Sequence, residues 1–349
     1  MPLKGHLHTF FIVITSILSG CATPYIYPAN TKHSTPQLYD DAVVMDDGYR
    51  LPVRRWGNPY DSKAIVLAVH GLNDYSFGFD STGDYLAEQG VSLITYDQRG
   101  FGATTGHGYW HGSQRMIDDN LIILHLLRER FPDMPLYLLG ESMGGAVVLA
   151  SIHQQAERVN TGINGAILIA PAIWSRQTMP WYQRALLWFA VHTVPAKKLT
   201  GEGLDLMPSD NIEMLRAMGQ DPLVIKATRV DVLYGVTNLM DLATAASTDF
   251  SQTSLILYGK HDQIVPREPT CQWLDKLPDL SLKQREIIIY ENGYHMLNRD
   301  LQAKQVLDDI ANWIKTWSIQ QKSLSARDIE PVKVQDYDEA LSEFCKKQK

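Results

Sequence analysis

Six short apolar runs recur along this chain, and helical stretches separate several of them. The runs are residues 64–69, 91–96, 135–139, 165–170, 255–258 and 286–290. They are continuous rather than alternating, which is typical of strands buried on both faces of a sheet. Apolar residues recur at helical spacing over 117–131, and 146–159 and 306–317 are further helix candidates. This alternation predicts an α/β fold, in which helices cover both faces of a mostly parallel sheet.

Two stretches depart from this alternation. An Asp-Gly turn joins two apolar-containing runs and predicts a β-hairpin over residues 42–56. Residues 173–248 hold several Trp and Met residues but no clear strand, which predicts a helical insertion. We therefore assign 42–172 and 249–317 to the core, and 318–349 to a charged C-terminal extension.

The segment GESMGG at residues 140–145 fits the pattern G-x-S-x-G. A predicted strand runs into it and a predicted helix runs out of it, which is the setting of a nucleophile elbow. A turn this sharp strains the backbone of the nucleophile, and the flanking glycines remove side chains that would clash. The pattern predicts that Ser142 is a nucleophile at the open edge of the sheet.

A serine hydroxyl needs a general base, and in this setting an acid and then a histidine follow the serine along the chain. Asp262 comes just after the run 255–258, and His295 comes just after the run 286–290. Both lie past the ends of buried strands, where ligand sites of α/β proteins gather. We expect Asp262 to orient the imidazole of His295, which takes the Ser142 proton and returns it to the leaving group.

An oxyanion hole is the third requirement of this chemistry. One backbone N–H is expected from Met143, the residue after the nucleophile, and the other from the loop after an early strand. Leu72 lies in that loop, where His70 and Gly71 shape the turn after the run 64–69. The sequence therefore predicts the N–H groups of Leu72 and Met143 as the oxyanion donors.

Five segments occur in a fixed order: HG at 70–71, YDQRGFG at 96–102, GESMGG at 140–145, GKHD at 259–262 and GYH at 293–295. Together they resemble the monoacylglycerol lipase and lysophospholipase branch of the α/β hydrolases, which is similar to the S33 serine aminopeptidases. That branch often has His before the elbow serine, whereas this chain has Glu141.

The resemblance spans about residues 42–317 and implies the α/β-hydrolase fold, with 173–248 as a helical cap over the nucleophile. It implies a serine esterase acting on monoacylglycerols, lysophospholipids or other single-chain carboxylic esters, with no metal and no organic cofactor. Acyl transfer and peptidase chemistry use the same triad and stay open, as does a non-catalytic binding module of the envelope. Five apolar residues of the cap could line the acyl pocket, face lipid or form the cap's own core: Trp181, Leu186, Leu187, Trp188 and Phe189.

The sequence of the N-terminal residues predicts that this protein is exported. Lys4, an apolar run over 10–18 and two small residues form a secretory signal over residues 1–20, too short to span a bilayer. A buried N-terminal helix or strand is the alternative. The segment LSGC at 18–21 resembles the lipobox of bacterial lipoproteins, which implies an acylated Cys21 as the first mature residue. Ala22 after it resembles the signal for the outer membrane, so we expect a lipid-anchored envelope protein facing the periplasm.

Residues 21–41 contain three prolines and predict a tether between this anchor and the domain. If Cys21 carries lipid, Cys271 and Cys345 remain, and the sequence leaves open whether they pair. A formal net charge of -7 without a long basic run argues against a nucleic-acid partner. The expected partners are a lipid or small ester substrate and the membrane, and no oligomeric state is predicted.

Overall fold

A nine-stranded sheet forms the centre of the computed structural model, which describes residues 22–158, 162–278, 284–323 and 337–346. The strands are β1 (Gln37–Leu38), β2 (Ala42–Val44), β3 (Arg50–Trp56), β4 (Ala64–Val69), β5 (Val91–Tyr96), β6 (Leu136–Glu141), β7 (Gly165–Ile169), β8 (Lys198–Leu199), β9 (Thr228–Arg229), β10 (Ser254–Gly259) and β11 (Arg285–Tyr290). The sheet order is β1-β2-β3-β5-β4-β6-β7-β10-β11, and β8 and β9 form a separate ribbon.

Six strands from β5 to β11 run parallel, and β1 to β3 add an antiparallel edge. The hairpin predicted over 42–56 is the β2–β3 pair. The six parallel strands coincide with the six apolar runs of the sequence, with ends shifted by one or two residues. The expected mostly parallel sheet is therefore confirmed.

Helices cover both faces of this sheet. The α-helices of the described residues are α1 (Asp80–Glu88), α2 (Ser113–Arg130), α3 (Met143–Arg158), α4 (Trp181–Thr193), α5 (Ile212–Gln220), α6 (Val230–Ala246), α7 (Arg267–Leu274), α8 (Ala303–Ser323) and α9 (Tyr337–Cys345). In β4, Ile65 and Leu67 pack in the core layer that contains α2, α3 and α6. The alternate residues Val66 and Ala68 pack in the layer that contains α1 and α8. Both faces of the strand are buried, which explains why its sequence is continuously apolar.

The insertion predicted over 173–248 contains α4, α5 and α6, together with the β8–β9 ribbon. Its last helix packs on the core, because Leu239 and Ala243 of α6 are fully buried in the same layer as Val147 of α3. The part that stands over the sheet edge is therefore shorter than the predicted insertion. The ribbon has only two residues in each strand, which is too short for an apolar pattern to reveal.

The N-terminal segment lies along the domain. The backbone N–H of Tyr27 donates to the carbonyl of Trp110 at 2.7 Å, and that of Ser34 donates to the carbonyl of Asp46 at 2.7 Å. This part of the predicted tether is packed rather than free. The predicted signal peptide and Cys21 fall outside the described residues.

A disulfide between Cys271 and Cys345 joins α7 to α9, which answers the pairing that the sequence leaves open. Phe344 is buried beside Tyr258 of β10, with ring centroids 5.2 Å apart. The helix α9 of the C-terminal extension is therefore fixed to the strand that precedes Asp262. Among the described helices, none combines the length and apolarity needed to cross a bilayer.

Candidate active site

Ser142 occupies the sharp turn between β6 and α3, with a backbone φ of +52°. Its N–H donates to the carbonyl of Ile169 at 2.9 Å, and its carbonyl accepts from the N–H of Ala172 at 2.8 Å. The turn also brings Gly144 so close to β4 that an added Cβ would lie 1.9 Å from the carbonyl oxygen of Val69. Only glycine fits there, and these contacts hold the serine in its strained conformation.

The structure brings Ser142, His295 and Asp262 into one hydrogen-bonded series. The Nε2 of His295 lies 2.9 Å from Ser142 Oγ, and its Nδ1 lies 2.8 Å from Asp262 Oδ2. The other carboxylate oxygen of Asp262 accepts from the N–H groups of Ile264 at 2.8 Å and Val265 at 3.0 Å. Because a carboxylate can only accept, Nδ1 carries the proton and Nε2 is free to accept from the serine hydroxyl.

Burial by itself disfavours the charged imidazolium of His295, but the charge of Asp262 and its hydrogen bond outweigh burial. The net effect raises the pKa of His295 above the usual value for histidine. A base whose charged form is stabilised takes up a proton more readily, which is the property that proton transfer from a serine requires.

The loop that carries His295 is tied to the cap. The N–H of His295 donates to the carbonyl of Pro208 at 3.1 Å. Asp300 accepts from the hydroxyl of Ser209 at 2.6 Å and from the N–H of Tyr294 at 2.8 Å, and burial raises its pKa to about 6. The segment before α5 therefore positions the base from the side of the cap.

Leu72 and Met143, whose N–H groups are the predicted oxyanion donors, both line the cavity beside Ser142. The turn before Leu72 approaches the nucleophile closely, since an added Cβ on Gly71 would lie 3.4 Å from Ser142 Cβ. The structure thus places both predicted donor residues at the cavity that Ser142 also lines.

His70 holds the turn before Leu72 in place. Its Nε2 accepts from the N–H of Gln98 at 3.0 Å, so its Nδ1 donates to the carbonyl of Gly71 at 2.8 Å. The Gln98 side chain also donates to the His70 carbonyl at 2.8 Å. Burial lowers the pKa of His70, which favours the neutral ring that this pattern needs. The predicted role of His70 in shaping the turn has this physical basis.

A cavity of about 400 Å³ opens beside Ser142. The cap and core contribute mainly apolar side chains to its wall, among them Trp174, Met179, Leu187, Leu233, Val236 and Met240. Of the five cap residues singled out in the sequence, Leu187 lines this cavity, while the other four are exposed. Within the described ranges, no three His, Cys, Asp or Glu side chains are placed to hold a metal ion.

One end of the cavity is polar, and the sequence did not predict it. The guanidinium of Arg299 donates to Glu141 Oε1 at 2.8 Å and pairs with Asp74 Oδ2 at 2.7 Å. We call Asp74, Glu141 and Arg299 the charged cluster. Glu141 Oε2 and Asn73 Oδ1 are buried without a hydrogen-bond partner among the residues that the structure describes. The unusual Glu141 before the elbow serine was the one available signal, but nothing in the sequence linked it to Arg299.

Comparison with known proteins assigns the chain to a family. Residues 60–302 match the family described as serine aminopeptidase, S33. The chain belongs to this family. Rat monoglyceride lipase is 26% identical over 303 residues, which cover 83% of this chain and 93% of the relative. The monoacylglycerol lipase of Mycolicibacterium smegmatis is 23% identical over 278 residues, which cover 76% of this chain and 93% of the relative.

A solved structure is similar over most of this S33-family chain. The monoacylglycerol lipase of Paleococcus ferrophilus superposes with a TM-score of 0.62 at 22% identity, covering 76% of this chain and 99% of its own. Together with the mostly parallel sheet, this likeness shows the α/β-hydrolase fold that the sequence motifs predicted.

Proposed function

We propose that this chain is a serine hydrolase that cleaves the ester bond of monoacylglycerols through an acyl-enzyme on Ser142. The observation that carries the proposal is the series Ser142–His295–Asp262 at one wall of an apolar cavity. As Ser142 Oγ attacks the ester carbonyl, His295 takes its proton and Asp262 stabilises the imidazolium. His295 then protonates the departing glycerol oxygen. It next removes a proton from water, and the resulting attack releases the fatty acid and restores the serine.

The oxyanion of each tetrahedral intermediate is bound, in this proposal, by the N–H groups of Leu72 and Met143. Both residues line the cavity next to the nucleophile, and His70 fixes the turn that carries Leu72. Donors that are already oriented stabilise developing charge without reorganising during the reaction.

The polar end of the cavity supports a glycerol head group. Asn73, Asp74 and Glu141 line the cavity beside Ser142, and their side chains offer oxygen acceptors to the hydroxyl groups of glycerol. A lysophospholipid would instead bring a phosphate anion close to Asp74 and Glu141, whose single described counter-charge is Arg299. We therefore favour monoacylglycerol over lysophospholipid. The rest of this cavity, whose total volume is about 400 Å³, is mainly apolar and suits an acyl chain.

The test compares the full chain in detergent with its Ser142→Ala variant. Fatty-acid release is followed from a monoacylglycerol, a lysophosphatidylcholine and a short p-nitrophenyl ester. We expect turnover of the monoacylglycerol to exceed that of the lysophospholipid, and Ser142→Ala to reduce all rates by at least ~10³-fold. A fluorophosphonate probe should label the wild type alone. No turnover of any ester and no labelling of Ser142 would move the assignment to a binding role.

Assays on the same protein preparation distinguish two other reactions that this triad can catalyse. An aminoacyl p-nitroanilide reports peptidase activity, and an added long-chain alcohol reports acyl transfer through formation of its ester. We expect both rates to be far below that of monoacylglycerol hydrolysis. A faster anilide or transfer reaction would replace the esterase proposal.

We further propose that Cys21 is acylated and that the chain is an outer-membrane lipoprotein facing the periplasm. The support is the segment LSGC at 18–21 behind a short apolar run, followed by Ala22. Several acyl chains hold a protein firmly, whereas one chain alone binds marginally. Mass spectrometry of the N-terminal peptide from the full chain should find the acyl groups on Cys21. An unmodified N-terminus, or recovery only in the inner membrane, would contradict this proposal.

A further inference from the structure

The C-terminal helix α9 contacts both elements that flank the loop of Asp262. This loop connects the end of β10 to the start of α7. The ring of Phe344 in α9 packs on Tyr258 of β10, and the disulfide joins α9 to α7. Helix α9 therefore links the two ends of the segment that carries the acid of the triad.

The side chain of Tyr258 reaches from β10 to the far end of this loop. Its hydroxyl donates to the carbonyl of Val265, the last residue but one before α7. The N–H of Val265 donates to Asp262 Oδ1 at 3.0 Å, and the N–H of Ile264 donates to the same oxygen at 2.8 Å. Tyr258 thereby holds a residue whose own N–H orients the carboxylate.

Phe344 in turn holds the ring of Tyr258. The two rings meet edge to face, with centroids 5.2 Å apart and planes at 62°. Both side chains are buried in the same core layer as Val265, and aromatic pairs prefer this defined arrangement. Truncating Phe344 leaves space beside the ring of Tyr258, so the hydroxyl is no longer fixed on Val265.

This support comes from a part of the chain that lies outside the family match. The match covers residues 60–302, which include Ser142, Asp262 and His295, whereas α9 begins at Tyr337. Helix α9 packs against α7 and against β11, the last strand of the sheet. The C-terminal extension therefore covers the end of the sheet from which the acid loop emerges.

We propose that Phe344 is a positioning residue for Asp262. Through Tyr258 and Val265, it keeps the carboxylate at hydrogen-bond distance from His295. The inference rests on the serine-hydrolase function proposed above. The disulfide fixes where α9 lies, and the positioning role belongs to the Phe344 ring. A hydrogen bond weakens steeply when its geometry is lost, and small displacements of catalytic groups slow reactions strongly.

Kinetics of the full chain on a water-soluble p-nitrophenyl ester test this role. In Phe344→Ala, kcat should fall about tenfold with KM unchanged, because Phe344 does not line the cavity. Asp262 raises the pKa of His295, so a looser carboxylate should move the acid limb of the pH–rate profile to lower pH. Phe344→Leu, which refills most of the space, should restore most of the loss. An unchanged kcat, or a lower kcat with an unmoved acid limb, would overturn the inference.

Phe131→Ala is the matched control. Phe131 packs edge to face against Tyr60, with centroids 5.1 Å apart and the same 62° between the ring planes. It lies between α2 and the start of β6, at the edge of the sheet opposite Ser142. Truncating this ring also removes packing, but kcat and the acid limb should match the wild type. Equal effects of Phe131→Ala and Phe344→Ala would mean general destabilisation and would contradict the positioning role.

Tyr258→Phe tests the second step and does not depend on how well Phe344→Ala folds. It keeps the ring that packs on Phe344 and removes only the hydroxyl that holds the Val265 carbonyl. Its acid limb should move in the same direction as that of Phe344→Ala. An acid limb that stays in place in Tyr258→Phe would break the proposed connection.

A measurement without turnover separates this inference from the proposed function. The proton on His295 Nδ1, hydrogen-bonded to Asp262, gives a nuclear magnetic resonance signal far downfield of ordinary imidazole protons, and Asp262→Asn identifies it. The midpoint of its pH titration should be lower in Phe344→Ala than in the wild type. An unchanged midpoint would contradict the positioning role, even in a chain that hydrolyses no ester. A lowered midpoint without ester hydrolysis would contradict the proposed function alone.

Discussion

Arg299 donates a 2.8 Å hydrogen bond to Glu141, the residue that immediately precedes the nucleophile. The Arg299 side chain is 9% exposed, lies in the cavity wall and also pairs with Asp74, so one cation holds two carboxylates. Those charges raise the pKa of Arg299 despite the opposing effect of burial. The turn that carries Ser142 and the loop after the first parallel strand are therefore joined by electrostatic contacts across the active site.

Replacing Arg299 with methionine should destabilise the protein strongly. The substitution leaves Asp74 and Glu141 as buried carboxylates without their cation, and breaking a buried pair in this way costs about 3–5 kcal/mol. The free energy of unfolding, measured with urea, checks the effect. Arg216→Met, on the exposed side of α5, serves as the control and should change stability by less than about 0.5 kcal/mol. A loss below about 1 kcal/mol for Arg299→Met would show that the charged cluster is not structural.

The pH dependence of ester hydrolysis should follow His295. Only the neutral imidazole can accept the Ser142 proton, so kcat/KM should fall as the pH drops through the raised pKa of His295. Asp262→Asn removes the charge that raises this pKa while burial, which lowers it, remains. The acid limb of the Asp262→Asn profile should therefore move to lower pH. Its plateau in kcat/KM should lie about 10⁴-fold below that of the wild type.

The measurement is a pH–rate profile of both proteins on a water-soluble ester. Circular dichroism across the same pH range controls for unfolding. An acid limb that stays in place in Asp262→Asn would mean that a different group controls it.

His70→Ala should slow the chemical step without removing any group that touches the reacting atoms. The substitution releases the Gly71 carbonyl and the Gln98 N–H, which together fix the turn that carries Leu72. Loss of one oriented oxyanion donor costs about 10²–10³ in kcat, so a partial loss of up to about 10² is expected. KM for a short ester should change little. His125→Ala, on the exposed side of α2, is the control, and an equal kcat for both variants would contradict the positioning role.

The disulfide between Cys271 and Cys345 should contribute strongly to stability and little to catalysis. It closes a loop with a sequence separation of 74 residues, for which chain entropy predicts about 4 kcal/mol. The free energy of unfolding of Cys271→Ser/Cys345→Ser should be lower than that of the oxidised wild type by this amount. Ester hydrolysis by the variant should be retained at low temperature. Reduced wild type should match the double variant, and equal stability in both redox states would refute the effect.

Local sequence patterns predicted two kinds of element: strands that are buried on both faces of the sheet, and turns that require glycine. The strands β4 and β5 stood out because every residue in them is buried, so the whole run had to be apolar. The elbow at Ser142 stood out because close backbone approach permits only glycine at Gly144. Such constraints act within a few residues, and a sequence shows them directly.

Contacts between distant residues could not be predicted in the same way. Arg299 and Glu141 are 158 positions apart, and Arg299 carries no local pattern that distinguishes it from an exposed arginine. The Cys271–Cys345 pair depends on a separation in space that sequence does not supply. Residues 22–34 were predicted to be a tether, although the ring of Tyr27 packs against Tyr109 and His111. These partners lie far away along the chain, and the local sequence does not reveal them.

The charged cluster also acts differently on the substrate and on the product of the proposed reaction. Its two carboxylates exceed its single guanidinium by one negative charge at the wall of the cavity that holds Ser142. An ester substrate is neutral and is not repelled, whereas the fatty acid formed from it is an anion at neutral pH. Repulsion between like charges is strong where water is scarce. We therefore expect the cluster to weaken binding of the fatty-acid product, so that neutralising Glu141 should increase product inhibition.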